Sequence, residues 1–329
     1  MHRRDFLRTV GLGLGSLSTA AAAWSQPGKL LTVYVGYPAG GSPDLVARTV
    51  APRLSQALQQ KVIIDNRAGA GGGIAMDVLR KAPADGSALV LTPSPPLTIN
   101  PFVYPRLAYN AFSDFTPVCR VVTFDLALAV PATHPAKTMR EFVEWAKKNP
   151  NLASYGVPGL GSTPHFLGYL IAQASGIDYR VIGYRGGPQM SGDLIGGQLP
   201  SAIGVLSTFL QDHRTGKVRV LATAGASRSS LLPDVPTLAE ALGTSAIRDV
   251  MTATEWYGLM APAGTAPSVI ASLNAAVEDV LREPKLVQQL TSQGHDPALL
   301  RGAAFGDLIR KDQDRWRAVV KESGFKLET

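Results

Sequence analysis

Tyr37-Pro38-Ala39-Gly40-Gly41-Ser42-Pro43-Asp44-Leu45-Val46-Ala47-Arg48 changes its period in the middle. The residues leading into it, Leu30–Tyr37, form an apolar run of strand character. Those after it set Val46, Val50, Leu54 and Leu58 on one stripe at helical spacing. Two glycines free the backbone between the two periods. Ser42 is a suitable N-cap, and Pro43 stands at the first helical position, where the missing N–H costs nothing. Strand, glycine turn and helix in that order make half of a β-α-β unit.

The same device recurs at Gly69–Gly73, at Gly159-Leu160-Gly161-Ser162-Thr163-Pro164 and at Gly186-Gly187-Pro188. Strand-like runs lie at Leu30–Tyr37, Lys61–Asn66, Ala88–Thr92, Val121–Val130, Ala153–Val157, Tyr179–Tyr184, Ser201–Leu206, Val218–Ala224 and Trp256–Ala261. Several are apolar throughout, as strands covered on both faces are. Helical stripes fall between them, at Leu167, Leu170, Ile171 and Ala174, and at Val269, Ile270, Leu273, Val277 and Val280. The alternation predicts an α/β fold of parallel sheets flanked by helices, and 329 residues suit two lobes better than one domain.

With 45% hydrophobic and 17% charged residues, the chain can bury a sizeable core, which excludes disorder. Of the net charge of +7, two units belong to residues 1–25, where Arg3, Arg4 and Arg8 stand against Asp5. The remaining basic residues are interspersed with acidic ones and form no run, which speaks against a nucleic-acid surface. Arg3-Arg4-Asp5-Phe6-Leu7-Arg8 followed by a Gly/Leu/Ala stretch to Ala23 reads as an export signal over residues 1–25. The paired arginines resemble a twin-arginine signal, with His2 where Ser or Thr is usual, so the export route stays open. A periplasmic protein with its signal removed is expected. Cys119, the single cysteine, lies in an apolar run and reads as a core residue.

The chemistry is expected at the glycine-rich helix starts. Unpaired N–H groups and a partial positive charge make a helix N-terminus an anion site that needs no lysine or arginine. Each is worth up to ~2 kcal/mol in a partly buried setting. Such loops sit at the carboxyl ends of strands, where open α/β sheets bind ligands. The candidate ligand residues are therefore Tyr37, Ala39, Gly40, Gly41, Ser42 and Asp44 in one loop and Gly161, Ser162, Thr163 and His165 in the other. Two such loops on different lobes suit the two ends of a dicarboxylate. Asp44 is expected to cap and orient its loop, since like charges repel. Tyr37 either borders the ligand or is core, and His165 either contacts the ligand or caps the rim. Ser94 and Thr98, in a proline-rich loop, offer hydroxyls to a ligand or merely stiffen a turn. Gly69–Gly73 reads as a packing feature.

These stretches resemble the Bug receptors, the periplasmic substrate-binding components of tripartite tricarboxylate transporters. The resemblance starts at Tyr37–Arg48 and continues in order through Asp65–Gly72, Ala84-Asp85-Gly86, Asn100-Pro101, Tyr155-Gly156, Gly159–His165, Tyr184–Gly187, Asp193–Gln198, Leu232–Thr237 and Trp256–Pro262. It implies a type II periplasmic binding fold, with a ligand cleft between two lobes. By resemblance, residues 29–125 form lobe 1, 126–253 lobe 2, and 254–329 return to lobe 1. It also implies capture of a small carboxylate, chiefly by main-chain N–H groups of the two loops, and delivery to membrane subunits. Where the family commonly carries aspartates after Gly196-Gly197-Gln198, Pro200 and Gly204 stand here, which favours ligands without an amino group.

A sensor that presents its bound form to a membrane kinase would use the same binding chemistry. An enzyme is the rival from another class, but no Gly-x-Ser-x-Gly, His-Glu-x-x-His or Walker sequence is present. Beyond residue 25 the histidines are His134, His165, His213 and His295, none at metal-ligand spacing. Gly156–Gly161 has the wrong glycine order for a dinucleotide. No catalytic residue, metal or cofactor is expected, and the protein is read as a monomer.

Overall fold

The computed structural model describes residues 30–243 and 255–327, so the export signal expected over residues 1–25 lies outside the described residues. The order is β1 (Leu30–Val35), α1 (Ser42–Leu58), β2 (Lys61–Asn66), α2 (Gly73–Arg80), β3 (Ala88–Pro93), the one-turn helices α3 (Pro95–Thr98) and α4 (Asn100–Val103), β4 (Phe115–Phe124), β5 (Leu126–Pro131), α5 (Met139–Lys148), β6 (Ser154–Val157), α6 (Thr163–Ser175), β7 (Arg180–Gly183), α7 (Gly187–Ile195), β8 (Ala202–Val205), α8 (Leu206–Arg214), β9 (Val218–Ala224), α9 (Leu238–Leu242), β10 (Glu255–Pro262), α10 (Pro267–Leu281), α11 (Pro284–Ser292), β11 (Asp296–Arg301) and α12 (Gly302–Ser323).

Two sheets form, in strand order β11-β4-β10-β3-β1-β2 and β7-β6-β8-β5-β9. They are mixed rather than wholly parallel. In the first, β1 pairs parallel with β2 and β3, while β10 runs antiparallel between β3 and β4. In the second, β6 pairs parallel with β7 and β8, while β5 runs antiparallel between β8 and β9. β5 and β10 are the strands by which the chain enters a sheet from the other side, and β11, antiparallel to β4, is inverted at the sheet edge. β5 follows β4 after Asp125 alone, so the apolar run Val121–Val130 is two strands in two sheets. Asp125 supplies the joint: its carbonyl accepts from Leu206 N, tying the crossing to the head of α8.

β3, β5 and β10 are buried at every position, as expected of central strands covered on both faces. Close approach requires glycine at Gly258 of β10, where an added Cβ would lie 2.3 Å from the Phe305 ring. It is likewise required at Gly168 of α6, against Tyr155. Inversion of β10 and β5 brings their first residues beside the carboxyl ends of their neighbours. Glu255 pairs with Phe124 and Tyr257 with Pro93 in the first sheet, and Leu126 pairs with Val205 in the second. The loop-bearing ends of the two sheets face each other across a cleft.

Candidate functional site

The cleft encloses about 640 Å³, part of it open to solvent. From the first sheet it is lined by Tyr37, Gly41, Ser42, Phe124, Glu255 and Tyr257, and from the second by Ser162, Thr163, Met190, Gly204, Val205 and Thr208. Four helices begin at this pocket. The residues preceding α1, α6, α7 and α8, which are Gly41, Ser162, Gly186 and Val205, all line it, and none of them caps its helix with a side chain. Their orphan N–H groups and positive dipole ends therefore converge on one space. Among the described residues no lysine, arginine or histidine lines it. A second, larger space of about 1160 Å³ adjoins it, sharing Tyr37, Pro38 and Ser162, and adds Gly69–Gly72, Gly161 and Arg185.

The two glycine loops share one construction. Gly40 has φ of +78° and its N–H donates to Asp44 Oδ2 at 2.9 Å; Gly161 has φ of +73° and its N–H donates to His165 Nδ1 at 3.0 Å. In each case the residue four positions on, one turn into the helix, clasps the glycine. Asp44 also accepts from Arg48 and Asn66. Burial raises the Asp44 pKa, but the bonds from Arg48, Gly40 and Asn66 outweigh it and hold the group below its ordinary value. His165 is packed edge-on against Phe325 and stacked on Phe166, and burial lowers its pKa to about 4. It is therefore a neutral acceptor that shapes the loop, and its ring does not line the pocket.

The hydroxyls differ from the sequence expectation. Ser42 is the first residue of α1 rather than its cap, and Thr163 is the first residue of α6, preceded by Ser162. Buried partners compete successfully for both. Ser42 Oγ lies 2.7 Å from His295 Nε2 and accepts from Tyr257 OH at 2.9 Å and Ser207 Oγ at 3.2 Å. Ser42 Oγ thus has three polar partners, while His295 Nδ1 is buried with none among the described residues. Burial lowers the His295 pKa to about 4, in keeping with a neutral ring. Thr163 Oγ1 donates to Glu255 Oε2 at 3.2 Å, and Ser94 Oγ donates to the same oxygen at 2.8 Å. Ser162 Oγ turns back to the Gly159 carbonyl.

Among the expected residues, Tyr37, Gly41, Ser42, Ser162 and Thr163 are brought together in the inner pocket, and Gly161 lines the outer one. Ala39 and Gly40 are exposed at the loop's tip, and Gly40 borders a further space shared with Ser191, Ser207 and Asp212 of the second lobe's helices. Asp44 is buried behind its loop, and Ser94, 1% exposed, stands behind Glu255. Thr98, the other hydroxyl of that loop, donates to the Ser94 carbonyl. Gly69–Gly72 both packs and lines: an added Cβ on Gly36 would lie 2.7 Å from Gly72 Cα. Gly204, which stands where the resemblance implies an aspartate, lines the pocket. The acid present is instead Glu255, from the opposite sheet. Glu255, Tyr257, Ser207 and His295 are the polar groups that sequence reasoning passed over. The signal for Glu255 was available, as one acid heading the otherwise apolar run Trp256–Pro262.

Residues 46–325 match the model of the tripartite tricarboxylate transporter family receptor. BugT of Bordetella pertussis is 31% identical over 331 residues, covering 100% of both chains. Among solved structures, Rpa4515 of R. palustris with adipate superposes with a TM-score of 0.83 at 30% identity, over 90% of this chain and 98% of that one. MatC from Rhodopseudomonas palustris with bound malate gives 0.80 at 27% identity, over 88% and 98%. The periplasmic binding protein BugD gives 0.82 at 26% identity, over 91% and 98%.

Proposed function

This chain belongs to the tripartite tricarboxylate transporter receptor family, and from that premise we propose that it captures a small carboxylate by closing its two lobes and presents the closed form to membrane subunits. It is a periplasmic protein of a receptor family, and it carries the ligand without transforming it. Residues 29–125 with 254–329 make one lobe of this reading and residues 126–253 the other.

The observation that carries the proposal is the meeting of four side-chain-uncapped helix N-termini in one apolar pocket that, among the described residues, has no basic side chain. Such a site receives a carboxylate on main-chain N–H groups. The apolar walls, among them Pro93, Pro95, Phe124, Leu126 and Met190, suit a hydrocarbon body. Two hydrogen bonds join the lobes at the floor, Ser207 to Ser42 and Thr163 to Glu255, and they support closure as the mode of capture. In the relatives bound to adipate and malate the ligands are carboxylates.

Thermal shift and calorimetry of the protein from Gln26 onward, against adipate, malate, benzoate and their amides, test the reading. A saturable rise in Tm with at least one carboxylate, absent with its amide, is expected. Equal shifts with acid and amide would overturn it.

A further inference from the structure

Glu255 has no place in a site described only as an anion receptor. Its carboxyl lies in the wall of the ligand pocket, 8% exposed, at the point where both lobes touch. The two hydroxyls that reach it, Ser94 Oγ from the first sheet and Thr163 Oγ1 from the head of α6, both donate to Oε2. No described group bonds Oε1. In a neutral carboxyl the carbonyl oxygen accepts and the hydroxyl oxygen donates. In the neutral form, two donors on Oε2 mark it as the carbonyl oxygen and leave the acid proton on Oε1, the oxygen with no described partner.

The charged surroundings agree. From α12, Asp312 and Arg315 act on Glu255 in opposite directions; Arg120 of β4 faces Asp312; the phenols of Tyr37 and Tyr257 lie beside it. α6 contributes the Thr163 hydroxyl, and the His165 ring behind it is occupied by Gly161. Burial is the largest influence and, with Asp312, pushes the Glu255 carboxyl up to about 7 despite the two hydroxyls. Among the described residues no cation lines the pocket to hold it ionised.

Resting on the carboxylate reading above, we propose that Glu255 sets the ligand class of this cleft: Oε1 meets a ligand carboxylate and the two share one proton, so a carboxylate binds together with a proton. Above neutral pH that proton comes from solvent, the bond formed being Oε1–H···⁻O–C with no other atom exchanged. An ammonium is a poor occupant of the same spot. It needs three acceptors, Oε1 is one, and Ser42 Oγ is already saturated. The converging helix N-termini also repel it. An acid side chain thus serves here to exclude amines and not to recruit them.

Isothermal titration of the wild-type protein with adipate, malate and benzoate, from pH 6 to 8.5 in phosphate and in Tris, counts the protons taken up. Uptake approaching one proton at pH 8 is expected for the tightest binder, with affinity falling about tenfold per pH unit above 7. Glu255→Gln should bind the same probe with no uptake and a flat profile. The wild-type count stands without the variant should Glu255→Gln fold poorly. Binding without proton uptake in the wild type would overturn the role of Glu255 and leave the carboxylate reading intact. Tighter wild-type binding of 2-aminoadipate than of adipate, lost in Glu255→Gln, would also overturn it, in favour of an ionised Glu255 paired with an ammonium. Failure of every carboxylate to bind at pH 6 would overturn the underlying reading itself.

Discussion

Gly40-Gly41-Ser42-Pro43-Asp44 and Gly161-Ser162-Thr163-Pro164-His165 have the same backbone plan, a left-handed glycine clasped by the side chain four residues later, yet the clasps differ in charge. Asp44 brings an anion into the first turn of α1 and binds Arg48 at 2.9 Å. The dipole end of α1 is thereby partly neutralised within the protein, and its Ser42 hydroxyl is spent on His295, Tyr257 and Ser207. His165 brings a neutral ring, so the positive end of α6 keeps its full attraction for an anion. One loop is finished internally; the other is left receptive. Similar motifs in the two lobes thus do unequal work, and the difference lies in one side chain per loop.

The largest expected effect concerns the neutral clasp. The ordinary histidine value is 6.5 and His165 in the folded protein sits at about 4, so between these values only the unfolded chain takes up the proton. Its contribution to stability is whole above pH 6.5 and is lost as pH falls toward 4, by up to roughly 3 kcal/mol. Asn can still accept from Gly161 N and does not titrate. Urea melts at pH 7 and pH 4 should show His165→Asn gaining on wild type by about that amount as pH falls. A stability difference that stays constant with pH would break the neutral-clasp half of the comparison.

Valine at the two glycines comes next. Both positions impose a backbone that a β-branched residue occupies at a cost of roughly 1–3 kcal/mol. At Gly161 the added Cβ also lies 3.2 Å from Val103 and the residue lines the outer pocket, while at Gly40 it meets open space at an exposed tip. Calorimetry should show affinity for the tightest carboxylate falling roughly 10- to 100-fold in Gly161→Val and less than about threefold in Gly40→Val. Equal losses would mean the loops share the ligand evenly.

Asp44→Asn should have the smallest effect, about 1–2 kcal/mol of stability at pH 7. Asp44 titrates below its ordinary 3.8 when folded, so its contribution is present above that value and lost as pH falls through the lower folded one. The gap between Asp44→Asn and wild type in acid melts should therefore remain at pH 4.5 and close only below it, whereas that of His165→Asn moves between pH 6.5 and 4. Coincident pH ranges would erase the distinction between the clasps.

Local features were legible in the residues. A strand, a glycine turn and a helix lie within a few positions, so both loops and the α/β class can be read from their period and punctuation, while the two lobes follow from chain length and the family resemblance. The failures are all long-range or at boundaries. Inversion of β5 and β10 leaves no mark on an apolar run, and the joint between β4 and β5 shows only as Asp125 inside one. β11, with Pro297 near its start, is absent from the strand-like runs; it is tolerated as a strand because it lies at the sheet edge, paired on one side with β4. Ser42 and Thr163 read as caps because nothing nearby announces His295, 253 positions away, or Glu255, 92 positions away. The pocket's polar floor is a property of the assembled sheets, so it appears only when β10 is laid between β3 and β4.

Cys119 lies at the centre of β4 with no exposed surface, and burial pushes its thiol up to about 12. The native thiol is thereby silent toward maleimide dyes at neutral pH. A fluorophore pair introduced through cysteines at exposed sites on opposite lobes and away from the cleft, such as Leu30 and Leu152, would be the only labels on the molecule. Energy transfer between them would then report the approach of the lobes, molecule by molecule, in the otherwise native protein.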